Sequence, residues 1–189
     1  RIMKKNIAIV LFSQNPFSAK LIVSQPEMYK YNWVWDKGRA GNIFTPKLSP
    51  MIYHEDILVF SEGTIATGSS RNMKYFPQME LLDKPVKYIM GKPKNAFKRK
   101  NSIVGYKKEK THKFTKSIIY YYNSNIKNKV HPTQKPVELL EYLIKTYSLE
   151  GELVLDNTMG SGSTMVACKN TNRRGIGIEK EKKYYDIAV

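Results

Sequence analysis

The stretch that decides the fold reads Leu153-Val154-Leu155-Asp156-Asn157-Thr158-Met159-Gly160-Ser161-Gly162-Ser163-Thr164. An apolar strand ends there in a carboxylate, and two glycines turn the chain into a helix. A second apolar run, Gly175-Ile176-Gly177-Ile178-Glu179, ends in another acid 23 residues after Asp156. Strand, glycine turn, helix and acid-tipped strand in this order are typical of a βαβ unit that binds a nucleotide-like cofactor.

The glycine turn sets the chemistry of this unit. Gly160 and Gly162 let the backbone pass close to a ligand, and the helix after them presents free N–H groups. Asp156 and Glu179 can accept hydrogen bonds from amino or ribose hydroxyl groups of a cofactor. A nicotinamide dinucleotide fits less well, because Met165 takes the place of the third fingerprint glycine. A purely structural glycine turn is the remaining alternative.

The composition indicates a polyanionic partner. The chain has 189 residues, enough for one domain or one domain plus an insert, and its formal charge is +16. DNA or RNA is the first candidate at this charge, and a merely basic protein is the alternative. Cys168 is the single cysteine, so the chain has no internal disulfide, and neither a metal site nor a membrane span is predicted. We therefore expect a cytoplasmic protein.

Apolar patterning predicts an α/β layered fold. A buried strand over 6–12 precedes a helix that runs to about Ser24, with Asn15 as its cap. Two further strands over 31–37 and 53–60 follow and can form a hairpin. The remaining elements are expected as a helix over 136–147, a strand over 153–156, a helix over 163–170, a strand over 174–179 and a helix over 180–188.

Residues 84–129 differ in character from the rest of the chain. They contain 14 Lys or Arg residues and one acid, Glu109, with aromatic residues interleaved and no helical periodicity. A basic insert with aromatic residues is typical of a nucleic-acid contact region, although a solvated loop has the same composition. The residues expected to contact DNA are Lys98, Arg99, Lys100, Lys107 and Lys108.

Three motifs together resemble the S-adenosylmethionine-binding half of the amino-group DNA methyltransferases, adenine-N6 and cytosine-N4 enzymes alike. They are Val130-His131-Pro132-Thr133-Gln134-Lys135-Pro136, the glycine turn after Asp156, and the strand that ends at Glu179. Their order resembles the permuted β group, in which the catalytic half and the target-recognition region precede the cofactor half. The resemblance implies an incomplete Rossmann-like methyltransferase sheet. Residues 1–61 would supply its later strands, 62–129 a basic target-recognition insert, and 130–189 the cofactor half.

The resemblance also implies which residues contact S-adenosylmethionine. Thr133, Gln134 and Lys135 would approach its methionine end, and Glu179 would hold the ribose hydroxyls. Thr158 stands where many members have phenylalanine, and His131 can be either structural or a contact. The implied cofactor-binding set is Thr133, Gln134, Lys135, Asp156, Thr158, Gly160, Gly162, Ser163 and Glu179.

One family feature is absent from the sequence. Members carry an Asp-Pro-Pro-Tyr-like tetrapeptide that accepts hydrogen bonds from the target amino group and stacks the flipped base, and no such tetrapeptide occurs here. Asn15-Pro16-Phe17 lacks the second proline, so the catalytic residues are unknown. Family order places the tetrapeptide upstream of Arg1. In the family's sheet, the strand that carries it lies between the strands ending at Phe12 and Asp156. We therefore expect a missing N-terminal segment, and a slot in the sheet of this chain.

The sequence thus predicts part of a DNA methyltransferase that modifies an exocyclic amino group of double-stranded DNA, with adenine favoured over cytosine. The chain alone is expected to be inactive. A non-catalytic DNA-binding remnant of such an enzyme and an RNA adenine methyltransferase remain as alternatives.

Overall fold

The computed structural model describes residues 4–89, 107–123 and 130–189. The chain divides into two compact units, one formed by Arg1–Phe76 with Lys116–Val189 and the other by Pro77–Thr115. The elements, in chain order, are β1 (Ile9–Ser13), α1 (Phe17–Ser24), β2 (Tyr29–Asp36), β3 (His54–Phe60), β4 (Glu80–Ile89), β5 (Lys107–Lys113), β6 (Ile118–Tyr120), α2 (Val137–Tyr147), β7 (Leu153–Asp156), α3 (Ser163–Asn170), β8 (Arg174–Gly177) and α4 (Lys182–Ala188).

The first unit contains a four-stranded sheet in the order β1-β3-β2-β6. β3 pairs antiparallel with both β1 and β2, and β6 pairs parallel with β2. The predicted hairpin of the second and third strands is therefore confirmed. The carboxyl ends of β1 and β2 and the start of β3 lie at one edge of this sheet.

Aromatic and aliphatic residues of this sheet form the main core with one face of α2. Trp35 and Ile57 are fully buried on the sheet, and Leu139, Leu143 and Tyr147 pack from the helix. The spacing of four between these helix residues places them on one face of α2. Tyr147 also links α2 to β2, because its hydroxyl accepts a hydrogen bond from the Trp33 indole N–H at 2.7 Å.

The second sheet of the first unit is the parallel pair β7–β8, which is joined by α3. Leu140 and Ile144, on the other side of α2, pack against Ala167 and Cys168 of α3. α2 therefore lies between the four-stranded sheet and the βαβ unit and contacts both. Burial raises the pKa of the Cys168 thiol.

The second unit is built on the antiparallel pair β4–β5. This unit covers fewer residues than the insert expected over 62–129. Residues up to Phe76 belong to the first unit, and β6 belongs to the four-stranded sheet. The short stretch 114–117, which reads Phe-Thr-Lys-Ser, carries no signal that marks where the chain re-enters the sheet.

Three local expectations were wrong. α1 begins at Phe17 with Pro16 at its cap position, so no side-chain acceptor caps the helix and Asn15 lies one residue too early. β1 is half-buried rather than buried on both faces, and it pairs with an antiparallel neighbour. β8 also ends at Gly177, two residues before the predicted end.

None of the helices in the described ranges has the length and apolarity needed to cross a lipid bilayer.

Candidate functional site

The carboxylate of Asp156 holds the glycine turn in place at the tip of β7. One oxygen accepts the backbone N–H of Thr158 at 3.0 Å, and the other accepts the hydroxyl of Thr164 at 2.6 Å. The first bond fixes the start of the turn, and the second fixes the first turn of α3. Asp156 therefore shapes the turn, and its contact with a ligand stays a prediction.

Glu179 follows β8 and reaches the same turn. Its Oε2 accepts the backbone N–H of Gly160 at 2.8 Å, and its Oε1 accepts the N–H of Glu181 at 2.9 Å. These hydrogen bonds, with that of Glu181 the largest contribution, hold the pKa of Glu179 below its ordinary value. The carboxylate is therefore ionised at neutral pH. Each carboxylate oxygen has a second lone pair, so Glu179 can still accept hydrogen bonds from a bound hydroxyl or amino group.

The two turn glycines adopt backbone conformations that other residues rarely reach. Gly160 has φ +54° and Gly162 has φ +82°. A Cβ on Gly160 would lie 3.2 Å from the His131 ring, and a Cβ on Gly162 would lie 2.9 Å from the Cβ of Ala188. Both the left-handed backbone and the close neighbours require glycine at these positions.

The segment His131–Pro136 is folded onto this turn. Its local hydrogen bonds run from the Thr133 N–H to His131 Nδ1 at 3.2 Å and from the Val130 N–H to Gln134 Oε1 at 3.2 Å. The His131 ring lies against Gly160 on one side and has its centroid 4.1 Å from that of Tyr184 in α4. The structure therefore places His131 in contact with the glycine turn, a position that its isolated occurrence in the sequence left open.

Lys135 lies in the same segment and connects it to the four-stranded sheet. Its Nζ lies 2.6 Å from Glu55 Oε2 in β3 and 4.9 Å from the centre of the Phe12 ring. Lys37, which follows β2 and is 7% exposed, places its Nζ 3.5 Å from the other oxygen of Glu55. A largely buried carboxylate is thus shared by two ammonium groups, which offsets the cost of desolvating all three. Sequence reasoning missed Glu55, because it lies in the polar start of β3, next to His54 and Asp56, where no local signal marks it as the shared acid.

All the predicted cofactor residues lie within the first unit, and their contact with a cofactor stays a prediction. Thr158 is exposed at the turn, and Ser163 is buried at the first position of α3. The acceptors at this edge suit a ligand that offers hydroxyl or amino hydrogens. Among the described residues, no group of three or more His, Cys, Asp or Glu side chains is arranged to hold a metal ion.

The predicted DNA contacts are described only in part. Lys98, Arg99 and Lys100 lie outside the described residues. Lys107 and Lys108 begin β5, where their backbones pair with Ile89 and Tyr88 of β4. Their role in binding DNA stays a prediction.

Comparison with known proteins identifies the family. The model of the N6/N4 methyltransferase family, described as DNA methylase, matches residues 1–189. The chain therefore belongs to the N6/N4 DNA methylase family, as the three motifs predicted.

Curated relatives are bacterial type II methyltransferases. The chain is 30% identical over 191 residues to the type II methyltransferase M.HpaI of Haemophilus parainfluenzae, covering all of this chain and 54% of the relative. It is 52% identical over 58 residues to M2.DpnII of Streptococcus pneumoniae, which covers 31% of this chain and 22% of that protein. The chain thus spans about half the length of M.HpaI.

Solved structures share the α/β methyltransferase fold. The complex of M1.HpyAVI with SAM matches with a TM-score of 0.64 and 25% identity, covering 99% of this chain and 74% of that one. The cytosine-N4-specific PvuII DNA methyltransferase matches with a TM-score of 0.65 and 12% identity, covering 98% of this chain and 64% of that one. At this identity the second match speaks for the fold alone.

Proposed function

We propose that this chain forms the cofactor-binding and DNA-binding part of a DNA methyltransferase that transfers a methyl group from S-adenosylmethionine to an exocyclic amino group. The observation that carries the proposal is the link between the two strand tips. Glu179 accepts the N–H of Gly160, and Asp156 holds the other side of the same turn. M1.HpyAVI, which matches 99% of this chain, was solved with SAM bound.

The residues of the site would bind and orient the cofactor, whose sulfonium centre supplies the methyl group. The free lone pairs of Glu179 would accept the two ribose hydroxyls. The turn 156–162 would lie beneath the cofactor, and Thr133 to Lys135 would approach its methionine end. Since such an enzyme positions two reactants, most of the rate gain would come from orientation and electrostatics.

Double-stranded DNA is the proposed substrate, and adenine is the narrower proposal for the base. The excess of positive charge over 84–129 supports a DNA contact. Adenine rests on the sequence resemblance alone. Enzymatic digestion of methylated DNA followed by mass spectrometry separates N6-methyladenine from N4-methylcytosine and decides this point.

We also propose that a strand from another segment of the protein carries the catalytic tetrapeptide and fills a slot in the sheet. The strand edges support this, because within the described residues β7 pairs only with β8, and β1 only with β3. One face of the β7–β8 pair also exposes apolar side chains, which a covering layer would bury. They are Leu153, Leu155, Ile176 and Ile178.

The test separates cofactor binding from methyl transfer. Calorimetry with S-adenosylmethionine should detect binding by the complete gene product, and tritiated methyl transfer to mixed-sequence DNA should follow. The 189-residue chain alone should transfer no methyl groups, and coexpression with the upstream coding segment should restore activity. Turnover by the isolated chain near one per second, an ordinary enzymatic rate, would contradict the slot and make Asn15 the first catalytic candidate.

A complete gene product that binds DNA but never methylates it would be a non-catalytic remnant. Transfer to RNA in place of duplex DNA would favour the RNA enzyme.

A further inference from the structure

The loop between β2 and β3 is ordered by its own hydrogen bonds. We use the name apolar loop for residues 41–52. The Gly41 N–H donates to the Ile52 carbonyl at 2.9 Å and closes the loop. The Asn42 side chain then spans the interior, since it donates to the Pro50 carbonyl at 3.0 Å and accepts the Ile52 N–H at 2.6 Å. Because Asn42 lies at the start of the loop and bonds to residues at its end, its side chain holds the two ends together.

This ordered loop presents large apolar side chains to solvent. Phe44 is 92% exposed and Leu48 is 86% exposed, and Ile43 between them and the closure is 56% exposed. The burial of apolar groups stabilises proteins, so a fixed loop that displays them is typical of a contact surface. The hydrogen bonds inside the loop hold these apolar side chains at its surface, which distinguishes them from single apolar residues exposed elsewhere.

The charge around the loop is of one sign. Between Asp36 and Glu55 the chain carries Lys37, Arg39 and Lys47 and no acid. The charge of Lys37 is engaged by Glu55, which leaves Arg39 and Lys47 to contribute positive potential beside the apolar residues. An apolar tip flanked by cations suits nucleic acid, in which phosphates surround apolar base faces.

The position of the loop relates it to the proposed cofactor site. The loop lies at the edge of the sheet where β2 ends and β3 begins. Glu55 at that edge bonds to Lys135, whose segment begins with His131 in contact with Gly160. One short chain of contacts therefore joins the base of the apolar loop to the glycine turn.

From these observations we infer that the apolar loop is a DNA-contacting wedge. Phe44 and Leu48 enter the duplex beside the target base and occupy the space that the base leaves when it is displaced, while Arg39 and Lys47 contact neighbouring phosphates. Apolar wedges of this kind offset the loss of base stacking. The inference rests on the proposed function and adds a specific surface to it.

The test uses the complete gene product and a duplex whose target site has first been mapped by methylation sequencing. The variant is Phe44→Ser combined with Leu48→Ser, and the matched control is Val23→Ser, a 77% exposed apolar residue on α1. The probe is 2-aminopurine at the target position, or pyrrolo-deoxycytidine if the base is cytosine. Thermal unfolding and calorimetry with S-adenosylmethionine show that fold and cofactor site are intact.

We expect the double variant to lose at least about tenfold in kcat on the matched duplex, together with the fluorescence rise that reports base displacement. A mismatch at the target pair should restore most of kcat, because a mismatched base costs less to displace. Arg39→Gln with Lys47→Gln should lower the salt slope of binding by about two units.

Three results would overturn the wedge. The first is wild-type kcat and fluorescence in the double variant, and the second is an equal loss on matched and mismatched duplexes. The third is a change from dimer to monomer in sedimentation without a DNA-dependent defect, which would assign the loop to a second copy of the chain. Wild-type protein that methylates no DNA would instead contradict the proposed function, and the wedge with it.

Discussion

At the scale of single residues, Glu179 is where the proposed ribose contact can be measured. Glu179→Ala should weaken S-adenosylmethionine binding about tenfold, because charge-assisted hydrogen bonds to the hydroxyls are lost. Glu179→Gln keeps one acceptor oxygen and should fall between. Glu181→Ala is the control, since only its backbone N–H contacts Glu179. Calorimetry in which the alanine variant binds like the wild type would remove Glu179 from the site.

The lowered pKa of Glu179 adds a condition to that measurement. A carboxyl whose pKa is depressed stays ionised above its ordinary value of 4.5. Glu179 therefore does not change its charge between about pH 6 and about pH 8, and we expect it to cause no change in cofactor affinity over that range.

A second residue-scale prediction separates backbone strain from crowding. Gly162 and Gly151 both have positive φ, +82° and +75°, but only Gly162 has a close neighbour. Gly151→Ala should cost about 1 kcal/mol of unfolding free energy for its left-handed backbone. Gly162→Ala should cost distinctly more, because its Cβ would lie 2.9 Å from that of Ala188. Urea unfolding compares the two variants. Equal losses of unfolding free energy would mean that the turn shifts enough to remove the close contact with Ala188.

At the scale of elements, α2 joins the two sheets of the first unit, and its last residue, Tyr147, bonds to β2. The Tyr147 hydroxyl accepts from the Trp33 indole at 2.7 Å and lies 3.0 Å from the Tyr31 hydroxyl. Burial raises the pKa of Tyr31 to about 12 and also raises the pKa of Tyr147, so both hydroxyls keep their protons at neutral pH. The hydrogen bond is therefore present over the whole physiological range.

Removing this acceptor should destabilise the protein. Tyr147→Phe leaves the buried Trp33 N–H without its partner and should cost about 1–3 kcal/mol of unfolding free energy. Tyr75→Phe is the matched control, because its ring packs against Tyr147 while the residue is 41% exposed. Chemical denaturation measures both variants, and similar losses would show that the hydroxyl of Tyr147 contributes nothing specific.

At the scale of the whole molecule, the net charge of +16 should govern DNA affinity. Replacing Lys98, Arg99 and Lys100 with glutamine should lower the slope of log affinity against log salt by about three units, if each neutralises a phosphate. The control replaces three exposed lysines, Lys20, Lys145 and Lys169, and changes the net charge equally. Fluorescence anisotropy at several salt concentrations gives both slopes. An unchanged slope in the first variant would place that cluster in solvent.

Local signals in the sequence determined the βαβ unit and its acids. The predicted bounds of β7 and α3 match the structure, because a short apolar run and a Gly-x-Gly turn specify conformation over a few residues. The same signals predicted that Asp156 and Glu179 would meet at one turn. The family followed from three short motifs in order.

Tertiary structure alone decided which partners those residues have. Glu55 is 80 residues from Lys135 and 18 from Lys37 in the chain, yet one carboxylate serves both lysines. The antiparallel pairing of β1 with β3 and the entry of β6 into the sheet are likewise contacts between distant segments. Periodicity reports how each segment folds and which face is apolar, whereas the partner of a face depends on how the whole chain packs.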